Sequence, residues 1–507
     1  MFRIRFSRLF SLALALMLLL SLFAGAMAEE AMYVSDFSAG PDGFYPRSMG
    51  SATLECAEGA LWIHGRSGDW HSPGRDFDLV PGEEYTLSVE VYQDEMDTAE
   101  FILSVAHSKN GAESYENLGR AKAKRGEWTP ISAKWVAGNF ERFVLYVETI
   151  NAPGLSYAIR AFTVQGRAAE FGAKDIPSLR ETYAGLFAFG TALTEKECLS
   201  KARMAFCASQ FSIVTPGNEL KPDFVLDVKK SAELSAEDDS AVAISMERAL
   251  PMLTFAQENG LKVHGHVLVW HAQTPEAFFH ERYDVNRPFV TREVMLSRLD
   301  NYIRAVFAET EAAFPGLIVS WDVLNEAIDD GSGKLRASNW LTVVGEDYPE
   351  RVFEIARKYA PESVKLYYND YNTAYAGKRA GIIALLKRLM AEGNLDGYGF
   401  QMHHSITQPS LQSIGDALTD VSALGLSLRV SELDVTIPAA TDENFASQTA
   451  FYGNLVRLLI PYAGQLEAVQ VWGMTDDQSW RASGFPLLFD RDGQPKDAFF
   501  AVIDAVK

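Results

Sequence analysis

Two different hydrophobic patterns divide the chain. From residue 29 to about residue 166, apolar and polar residues alternate in short runs such as Leu87–Tyr92, Phe101–His107, Phe143–Glu148 and Tyr157–Val164. Pro-Gly, Asn-Gly and Gly-Glu turns separate these runs. Alternation with a period of two predicts half-buried strands, and short strands at this spacing predict a β-sandwich.

After Ser178, apolar runs alternate with amphipathic stretches of helical period. The apolar runs predict eight strands: Leu186–Thr191, Phe211–Thr215, Val263–Leu268, Ile318–Val323, Val364–Tyr368, Tyr398–Gln401, Leu426–Ser431 and Ala468–Val471. The helical period predicts helices that include Ala241–Asn259, Arg292–Ala313, Pro349–Tyr359, Lys378–Glu392, Ser410–Leu424, Ala446–Leu459 and Lys496–Val506, after a first helix that Ser178 would cap. Eight strand-then-helix units fit a (β/α)₈ TIM barrel, an α/β fold, better than a doubly wound sheet.

A link and a leader complete the predicted organisation. Residues 167–178 have neither period and are predicted to join the sandwich (residues 29–166) to the barrel (residues 179–507). Residues 1–28 combine three arginines, an apolar run and a small-x-small site at Ala26-Met27-Ala28, which is typical of a secretory signal peptide. We expect cleavage after Ala28 and a secreted, extracellular protein. An uncleaved anchor is the alternative, because the apolar run approaches spanning length.

Charge and cysteine content limit the partners and the covalent chemistry. The 46 Lys and Arg residues against 67 Asp and Glu residues give a net charge of −21. This acidity argues against nucleic acid or an anionic membrane surface as the main partner. Cys56, Cys198 and Cys207 are an odd number, so no disulfide framework can be read from them. We favour three small apolar core residues, although Cys198 and Cys207 could pair if the fold brings them together.

Two carboxylic acids stand just past predicted strands. Strand four runs into Asn325 and Glu326, and strand seven runs into Glu432 and Asp434. Barrel enzymes act at the carboxyl ends of their strands, and strands four and seven lie on opposed sides of the ring. Glycoside hydrolysis needs one carboxylic acid to protonate the leaving oxygen and a second carboxylate as nucleophile or base. A single glutamate after a strand is more often a helix N-terminal charge, so the hypothesis depends on the joint pattern.

The other strand ends supply groups that suit a sugar, because hydroxyl groups need polar partners and apolar ring faces need aromatic ones. These groups are Asn218, Lys221, His266, Trp270, Gln273, Tyr371, Gln401, His403, Trp472 and Trp480. The alternative is a metal site built from His264, His266, His271, His403 and His404. These histidines are interleaved with Trp and Gln, and no HExxH spacing occurs, so we expect neither a metal nor a cofactor.

Residues 179–507 closely resemble glycoside hydrolase family 10, the endo-β-1,4-xylanases. The matching strings occur in the family's order at Thr215–Lys221, Gly265–Gln273, Asp322–Glu326, Tyr368–Asn372, Gln401–His403, Ser431–Asp434, Val471–Asp476 and Ser479–Arg481. The chain departs from the family's pattern at Gly217, where a glutamate that would bind a distal glycone sugar is frequent. It also departs at His264, where arginine is common and where we expect a structural role.

The resemblance implies an endo-acting, retaining enzyme that hydrolyses internal β-1,4-xylosidic linkages of xylan by double displacement. Glu326 would be the acid/base and Glu432 the nucleophile, about 5–5.5 Å apart. Asn325 would bind the sugar 2-hydroxyl, His403 would hold Glu432, and Asp434 would stand behind His403. The glycone subsites would be lined by Asn218, Lys221, His266, Trp270, Gln273, Gln401, Trp472 and Trp480, with Tyr371 toward the aglycone side.

The sandwich is similar to family 22 carbohydrate-binding modules, through the string Arg66–Pro73, with its Arg, Trp and Pro, and through Leu145–Glu148. The resemblance implies that Arg66, Trp70 and Glu148 touch a xylan chain, with Tyr115 as a looser candidate. The alternative is that Trp70 is a core residue and the module only stabilises the barrel. Calcium in the sandwich stays open, because no ligand set is clear.

Three functions are therefore weighed. The first is a secreted endo-β-1,4-xylanase that acts on xylan or xylo-oligosaccharides as a monomer, without nucleic acid, and away from the membrane after signal cleavage. The second is a β-1,4-glucanase or an enzyme of mixed specificity. The third is an inactive polysaccharide-binding protein, and the presence of both Glu326 and Glu432 argues against it.

Overall fold

The computed structural model describes residues 31–38, 40–47, 52–109, 112–140, 142–167, 169–198 and 200–507, except for the side chain of residue 196. The predicted signal peptide lies outside these residues. The chain forms two compact units, which meet in sequence between Glu170 and Phe171. Among the described residues, no helix is both long and apolar enough to cross a membrane.

The first unit is a sandwich of two antiparallel sheets. Its strands are β1 (Ala31–Ser35), β2 (Tyr45–Pro46), β3 (Thr53–Ala57), β4 (Ala60–His64), β5 (Pro73–Asp76), β6 (Glu84–Tyr92), β7 (Thr98–Lys109), β8 (Ala112–Lys124), β9 (Thr129–Val136), β10 (Arg142–Ile150) and β11 (Tyr157–Gln165). One sheet has the order β3-β4-β11-β6-β9, with β1 on β11, and the other has the order β2-β5-β10-β7-β8. In β6, buried residues alternate with half-exposed ones, which is the pattern that the sequence predicts.

The second unit is a parallel (β/α)₈ barrel, which confirms the predicted fold. Its strands are β12 (Ala188–Leu193), β13 (Ile213–Pro216), β14 (Lys262–Trp270), β15 (Ile318–Asn325), β16 (Lys365–Asp370), β17 (Gly397–Phe400), β18 (His403–Ser405), β19 (Ser427–Thr436) and β20 (Leu466–Val471). The ring closes because β12 pairs with both β13 and β20, while β17 pairs with β19. The short β18 adds a parallel pairing to β19 beyond the end of β17.

Helices surround and connect the barrel strands. The α-helices of the described residues are Leu179–Thr182, Glu195–Cys198, Lys201–Gln210, Pro222–Val225, Val228–Leu234, Leu250–Glu258, Arg292–Ala313, Asn339–Val343, Tyr348–Tyr359, Ala376–Ala391, Leu411–Ser422, Asp442–Leu459 and Asp497–Asp504. Short 3₁₀ turns occur at Glu276–Phe279, Glu281–Tyr283, Ile460–Tyr462, Asp476–Gln478 and Ala482–Gly484.

Some predicted helix ends differ from the structure: the helix predicted from Ala241 starts later, the helix predicted from Ala446 starts earlier, at Asp442, and the predicted cap at Ser178 is not made. The helix predicted from Ala241 begins only at Leu250, because Ile244 pairs with Leu226 in an isolated β-bridge and residues 247–249 form a turn. Pro251 then occupies the first turn, where a missing N–H costs nothing. Ser178 precedes the first helix, but its hydroxyl donates to the Ser209 carbonyl instead of capping the helix.

The predicted link belongs partly to each unit. The Ala169 N–H donates to the Asp78 carbonyl in the sandwich at 3.2 Å, whereas the Gly172 N–H donates to the Asp492 carbonyl in the barrel unit at 3.2 Å. Phe171 also packs edge-on against Phe206. The second half of the predicted link is therefore an anchored segment of the barrel unit.

Side-chain packing fixes the positions of β14 and β15, the strands that carry several of the predicted site residues. Trp321 of β15 is fully buried and packs edge-on against Phe307 of the helix Arg292–Ala313. Gly265 of β14 makes room for the indole, since a Cβ at that position would lie 2.2 Å from the Trp321 ring. The three cysteines are free, and Cys207 is buried.

Candidate active site

A cleft of about 490 Å³ opens at the carboxyl ends of the barrel strands. Every predicted substrate-binding side chain lines it, together with both glutamates and two supporting residues: Asn218, Lys221, His266, Trp270, Gln273, Asn325, Glu326, Tyr371, Gln401, His403, Glu432, Trp472 and Trp480. Asp434 lies behind His403. Sequence reasoning did not select the polar lining residues Thr194, Glu197 and Gln478. A larger groove of about 1210 Å³ is lined by residues between 171 and 212, and none of the predicted site residues is among them.

Glu326 is the first residue after β15, and its carboxylate is held from two sides. Trp270 Nε1 donates to Glu326 Oε2 at 3.0 Å. Gln401 Nε2 donates to Glu326 Oε1 at 2.9 Å. The imidazole of His271 lies farther away, with Nδ1 at 3.9 Å from Glu326 Oε2. These donors come from the ends of β14 and β17, so two strands on either side of β15 hold the carboxyl group that follows β15.

Glu432 lies in β19 and is almost fully buried, at 5% exposure. Asn369 Nδ2 donates to Glu432 Oε1 at 2.6 Å, and the Ser431 hydroxyl donates to Asn369 Oδ1 at 2.7 Å, which fixes the orientation of that amide. Sequence reasoning noticed Asn369 at the end of strand five but gave it no role. Its place in the Tyr368–Asn372 string was the available signal.

His403 makes the second contact to Glu432. His403 Nε2 lies 3.1 Å from Glu432 Oε2, and His403 Nδ1 lies 2.7 Å from Asp434 Oδ2. Burial alone would lower the pKa of His403, but the two carboxylates outweigh it and raise the pKa to about 10. His403 is therefore an imidazolium at neutral pH that donates to both carboxylates.

The imidazolium keeps Glu432 ionised. Burial alone would raise the pKa of Glu432, yet the hydrogen bond from His403 and the neighbouring His266 and His403 hold it below its usual value. Asp434 is itself anchored, because Arg481 Nη1 donates to its Oδ1 and Trp480 Nε1 donates to its Oδ2 at 3.1 Å. A carboxylate that is ionised and oriented in this way can act as a nucleophile.

Two of the histidines weighed for a metal share one buried carboxylate. His266 Nδ1 lies 2.9 Å from Asp322 Oδ2, and His264 Nε2 lies 3.0 Å from the same oxygen. Burial and the nearby guanidinium of Arg429 lower the pKa of His264 to about 4, so its ring is neutral. His264 faces Ser320 and Arg429 in the barrel interior.

Within the described residues, no group of three or more His, Cys, Asp or Glu side chains is arranged to hold a metal ion. His266 and His403 contact carboxylates, and His404 is buried in edge-on contact with Phe451. The structure therefore gives these imidazoles protein partners and leaves His266 and His403 on the cleft wall.

Polar groups cluster where β13 and β14 end. Lys221 Nζ donates to Asn218 Oδ1 at 3.1 Å and to Gln273 Oε1 at 2.9 Å. Burial lowers the pKa of Lys221, against the pull of Glu432 and other carboxylates. Gly217 lines this part of the cleft without a side chain. Burial raises the pKa of Glu197, another residue of the cleft wall, to about 7.

In the sandwich, the aromatic candidates are exposed and the arginine candidate is not. Trp70 is 61% exposed and Tyr115 is 60% exposed, so the alternative that Trp70 is a core residue is wrong. Glu148 is half-buried and accepts from the Ser104 hydroxyl at 3.2 Å. Arg66 is 6% exposed. It donates to five backbone carbonyls and to the Thr149 hydroxyl. Arg66 therefore has a structural role beneath the Trp70 loop, and the prediction that it contacts a ligand is wrong.

A different arginine lies near the exposed Tyr115 and over the buried Tyr146. The Arg47 guanidinium carbon is 3.4 Å from the centroid of the Tyr146 ring and 5.7 Å from that of Tyr115. Strand β8 carries Tyr115 and strand β10 carries Tyr146 and Glu148, all in the same sheet. Sequence reasoning missed Arg47 because it lies outside any recognisable string.

Comparison with protein families assigns the barrel. Residues 178–505 match the model of glycosyl hydrolase family 10. The chain belongs to glycosyl hydrolase family 10. Residues 29–154 match a carbohydrate-binding domain model, so the family 10 barrel follows a carbohydrate-binding module.

Individual relatives agree with this family 10 assignment. The chain is 30% identical over 505 residues to endo-1,4-beta-xylanase A of Thermotoga neapolitana, covering 94% of this chain and 46% of the relative. It is 33% identical over 338 residues to endo-1,4-beta-xylanase B of Butyrivibrio fibrisolvens, covering 65% of this chain and 53% of the relative. The chain thus spans about half the length of these relatives.

A solved structure extends the family 10 likeness to both units. It contains the N-terminal CBM22-1 and GH10 modules of an endo-1,4-beta-D-xylanase from Clostridium thermocellum, in complex with xylohexaose. Its sequence is 28% identical, the TM-score is 0.73, and the match covers 95% of this chain and 98% of the other. The sandwich module and the family 10 barrel therefore recur together in a known protein.

Proposed function

We propose that this protein is a secreted, endo-acting and retaining endo-1,4-β-xylanase, with Glu326 as acid/base and Glu432 as nucleophile. The observation that carries the proposal is the unlike environment of the two glutamates in one cleft. Glu432 contacts the imidazolium of His403 and the amide of Asn369, whereas Glu326 is held by the neutral donors of Trp270 and Gln401. Glycosidases need this separation of roles between two carboxyl groups.

The contacts support a double displacement. Glu432 attacks the anomeric carbon while Glu326 gives its proton to the leaving glycosidic oxygen, and a glycosyl–Glu432 ester forms. Glu326 then takes a proton from water as the water attacks the same carbon and releases Glu432. His403 favours the carboxylate form of Glu432 both before the first step and after the second.

Xylan is the proposed substrate, because the relatives are named endo-1,4-beta-xylanases and the similar two-module structure was solved with xylohexaose. Trp270, Trp472 and Trp480 offer aromatic surface in the cleft for apolar sugar faces. Secretion is proposed from the leader at residues 1–28, and we propose that the protein acts as a monomer. No cofactor has a role in this chemistry.

The deciding experiment measures reducing-sugar release from xylan and from carboxymethylcellulose. We expect the wild type to favour xylan, Glu432→Ala to be inactive, and Glu326→Ala to lose about 10²–10⁴-fold in rate, the usual contribution of general acid–base catalysis. Glu258→Ala, at an exposed glutamate on a barrel helix, is the matched control and should match the wild type.

Three results would contradict parts of this proposal. A wild type without activity on xylan removes the xylanase assignment. Equal or greater activity on carboxymethylcellulose replaces it with a glucanase. An α-anomer as the first product rules out retention, because the substrate linkage is β.

We further propose that the sandwich binds a β-1,4-linked sugar chain on the sheet face that carries Arg47, Tyr115, Tyr146 and Glu148, next to Trp70. Aromatic surface and a half-buried carboxylate suit sugar rings and hydroxyl groups. Soluble xylan should retard residues 29–170 in a native gel, and Trp70→Ala should abolish the retardation. Trp128→Ala, beside β9 of the other sheet, should not change it. Unretarded wild-type module would leave only a structural role.

A further inference from the structure

The backbone of Glu326 adopts a conformation that side chains rarely take. Its φ is +56°, in the left-handed region. Such a conformation is strained and persists only where its surroundings over-determine it. The position of the Glu326 carboxyl group therefore depends on whatever holds the peptide groups on either side of it.

Those peptide groups have two partners. The Glu326 N–H donates to the Asn369 carbonyl of β16 at 2.9 Å. The Glu326 carbonyl accepts from Arg336 Nε at 3.0 Å. Arg336 Nη2 also donates to the Ile328 carbonyl at 3.3 Å, and the Arg336 N–H donates to the Ala327 carbonyl at 2.7 Å. Arg336 thus donates hydrogen bonds to three successive backbone carbonyls that follow β15.

Arg336 is in turn tied to neighbouring elements. Its Nη2 donates to the Tyr371 hydroxyl at 3.0 Å, and that hydroxyl donates to Asp330 Oδ2 at 2.7 Å. Asp330 pairs with the buried Lys378 at 2.7 Å, and Lys378 pairs with the fully buried Asp370 at 2.8 Å. The network runs from the Glu326 carbonyl to Asp370 at the end of β16 and to Lys378 of the helix Ala376–Ala391.

We propose that Arg336 is a positioning residue for the acid/base, which fixes the Glu326 carboxyl group through the Glu326 carbonyl. The inference rests on the proposed function. Arg336 is not among the residues that line the cleft, so it acts through Glu326 and not on the sugar. Without it, the backbone of Glu326 relaxes toward an ordinary φ and its carboxyl group leaves Trp270 and Gln401. Misplacement by about 1 Å can cost 10²-fold in rate.

Substrates that differ in their need for an acid test this role. The departure of phenol requires a proton from Glu326 on the glycosidic oxygen, whereas 2,4-dinitrophenolate departs without one. For Arg336→Met, we expect kcat/KM on phenyl β-xylobioside to fall about tenfold or more and kcat/KM on the dinitrophenyl analogue to change less than about twofold. Azide should accelerate the turnover of the dinitrophenyl substrate by Arg336→Met and yield a β-xylobiosyl azide, because the anion attacks the glycosyl–Glu432 ester without a general base.

The control is Arg388→Met, which removes a guanidinium that donates to Glu350 and to the Glu346 carbonyl on the helix surface. It should behave as the wild type on both substrates. If Arg336→Met does not fold, Asp330→Asn loosens the same network and should give the same selectivity at a smaller magnitude.

The outcomes separate this inference from the proposed function. A wild type that cleaves neither aryl xylobioside overturns the proposed function. A wild type that cleaves both, with Arg336→Met unchanged or equally impaired on both, overturns the positioning role alone. A selective loss on the phenyl substrate with azide acceleration supports it.

Discussion

At the scale of single residues, His403 keeps the Glu432 carboxyl group ionised. It carries a positive charge because Asp434 and Glu432 raise its pKa to about 10. That charge offsets the burial of Glu432, whose pKa lies below its usual value as a result. The nucleophile is therefore available at a lower pH than an ordinary buried glutamate would be.

Replacing His403 tests this coupling through the pH profile. In His403→Gln the cation is absent, less of the burial of Glu432 is offset, and the pKa of Glu432 should rise. A carboxylate must be ionised to attack, so activity should be lost at a higher pH as the solution is acidified. The measurement is kcat/KM on xylo-oligosaccharides from about pH 3 to pH 8. An acidic limb at the same pH in both proteins contradicts the coupling.

Some of the site residues could be predicted from the sequence and others could not, for a physical reason. Glu326, Glu432 and His403 could be selected because polar residues at strand ends of a parallel barrel must converge. Arg66 and Arg47 could not be told apart, since only the fold determines which guanidinium is covered by carbonyls and which lies over the Tyr146 ring. Arg336 was not selected because its action passes through backbone groups.

At the scale of elements, close packing of β14 on β15 holds the site's two central strands. Trp270 ends β14, and Asn325 ends β15 just before Glu326. Gly265 and Trp321 occupy neighbouring positions on these strands. The contact leaves no space for a methyl group on Gly265.

Gly265→Ala should therefore destabilise the barrel. A new Cβ 2.2 Å from the Trp321 ring forces a shift of the indole or the strand, and overpacking of this kind typically costs about 1–3 kcal/mol. Gly185→Ala is the control, because nothing lies within 4 Å of its Cβ position. Urea unfolding of both variants measures the effect, and equal midpoints would show that the contact can relax freely.

Strand positions were predicted well, and helix starts less well. Short apolar runs mark buried parallel strands because both faces of such a strand are covered. The residues from Ala241 also carry apolar side chains, but the bridge between Leu226 and Ile244 and the turn at residues 247–249 delay the helix until Leu250. Tertiary pairing of this kind leaves no local signal.

At the scale of the whole molecule, each unit has its own hydrophobic core. One core is built from residues such as Leu87, Phe101 and Ile159, and the other from residues such as Trp321, Leu428 and Val469. The change in hydrophobic period near residue 178 predicted two units. The boundary between Glu170 and Phe171 required the contacts of Gly172 and Ala173 with the barrel unit.

Separate cores predict that the barrel unit works alone. Residues 171–507 should fold and hydrolyse short soluble xylo-oligosaccharides at a rate within about twofold of the whole chain, because a domain with its own core can fold independently. Circular dichroism and initial rates are the measurements. An unfolded or inactive fragment would mean that the barrel depends on the sandwich.

The pairing of β12 with β20 has a consequence for synthesis on the ribosome. The first strand of the barrel acquires one neighbour early, but its other neighbour is the last barrel strand to be translated. Units fold as they emerge at about 5–20 residues per second, so the nascent barrel keeps an open edge until β20 leaves the exit tunnel. The sandwich is translated before the barrel, so it is complete while the edge of β12 is still unpaired.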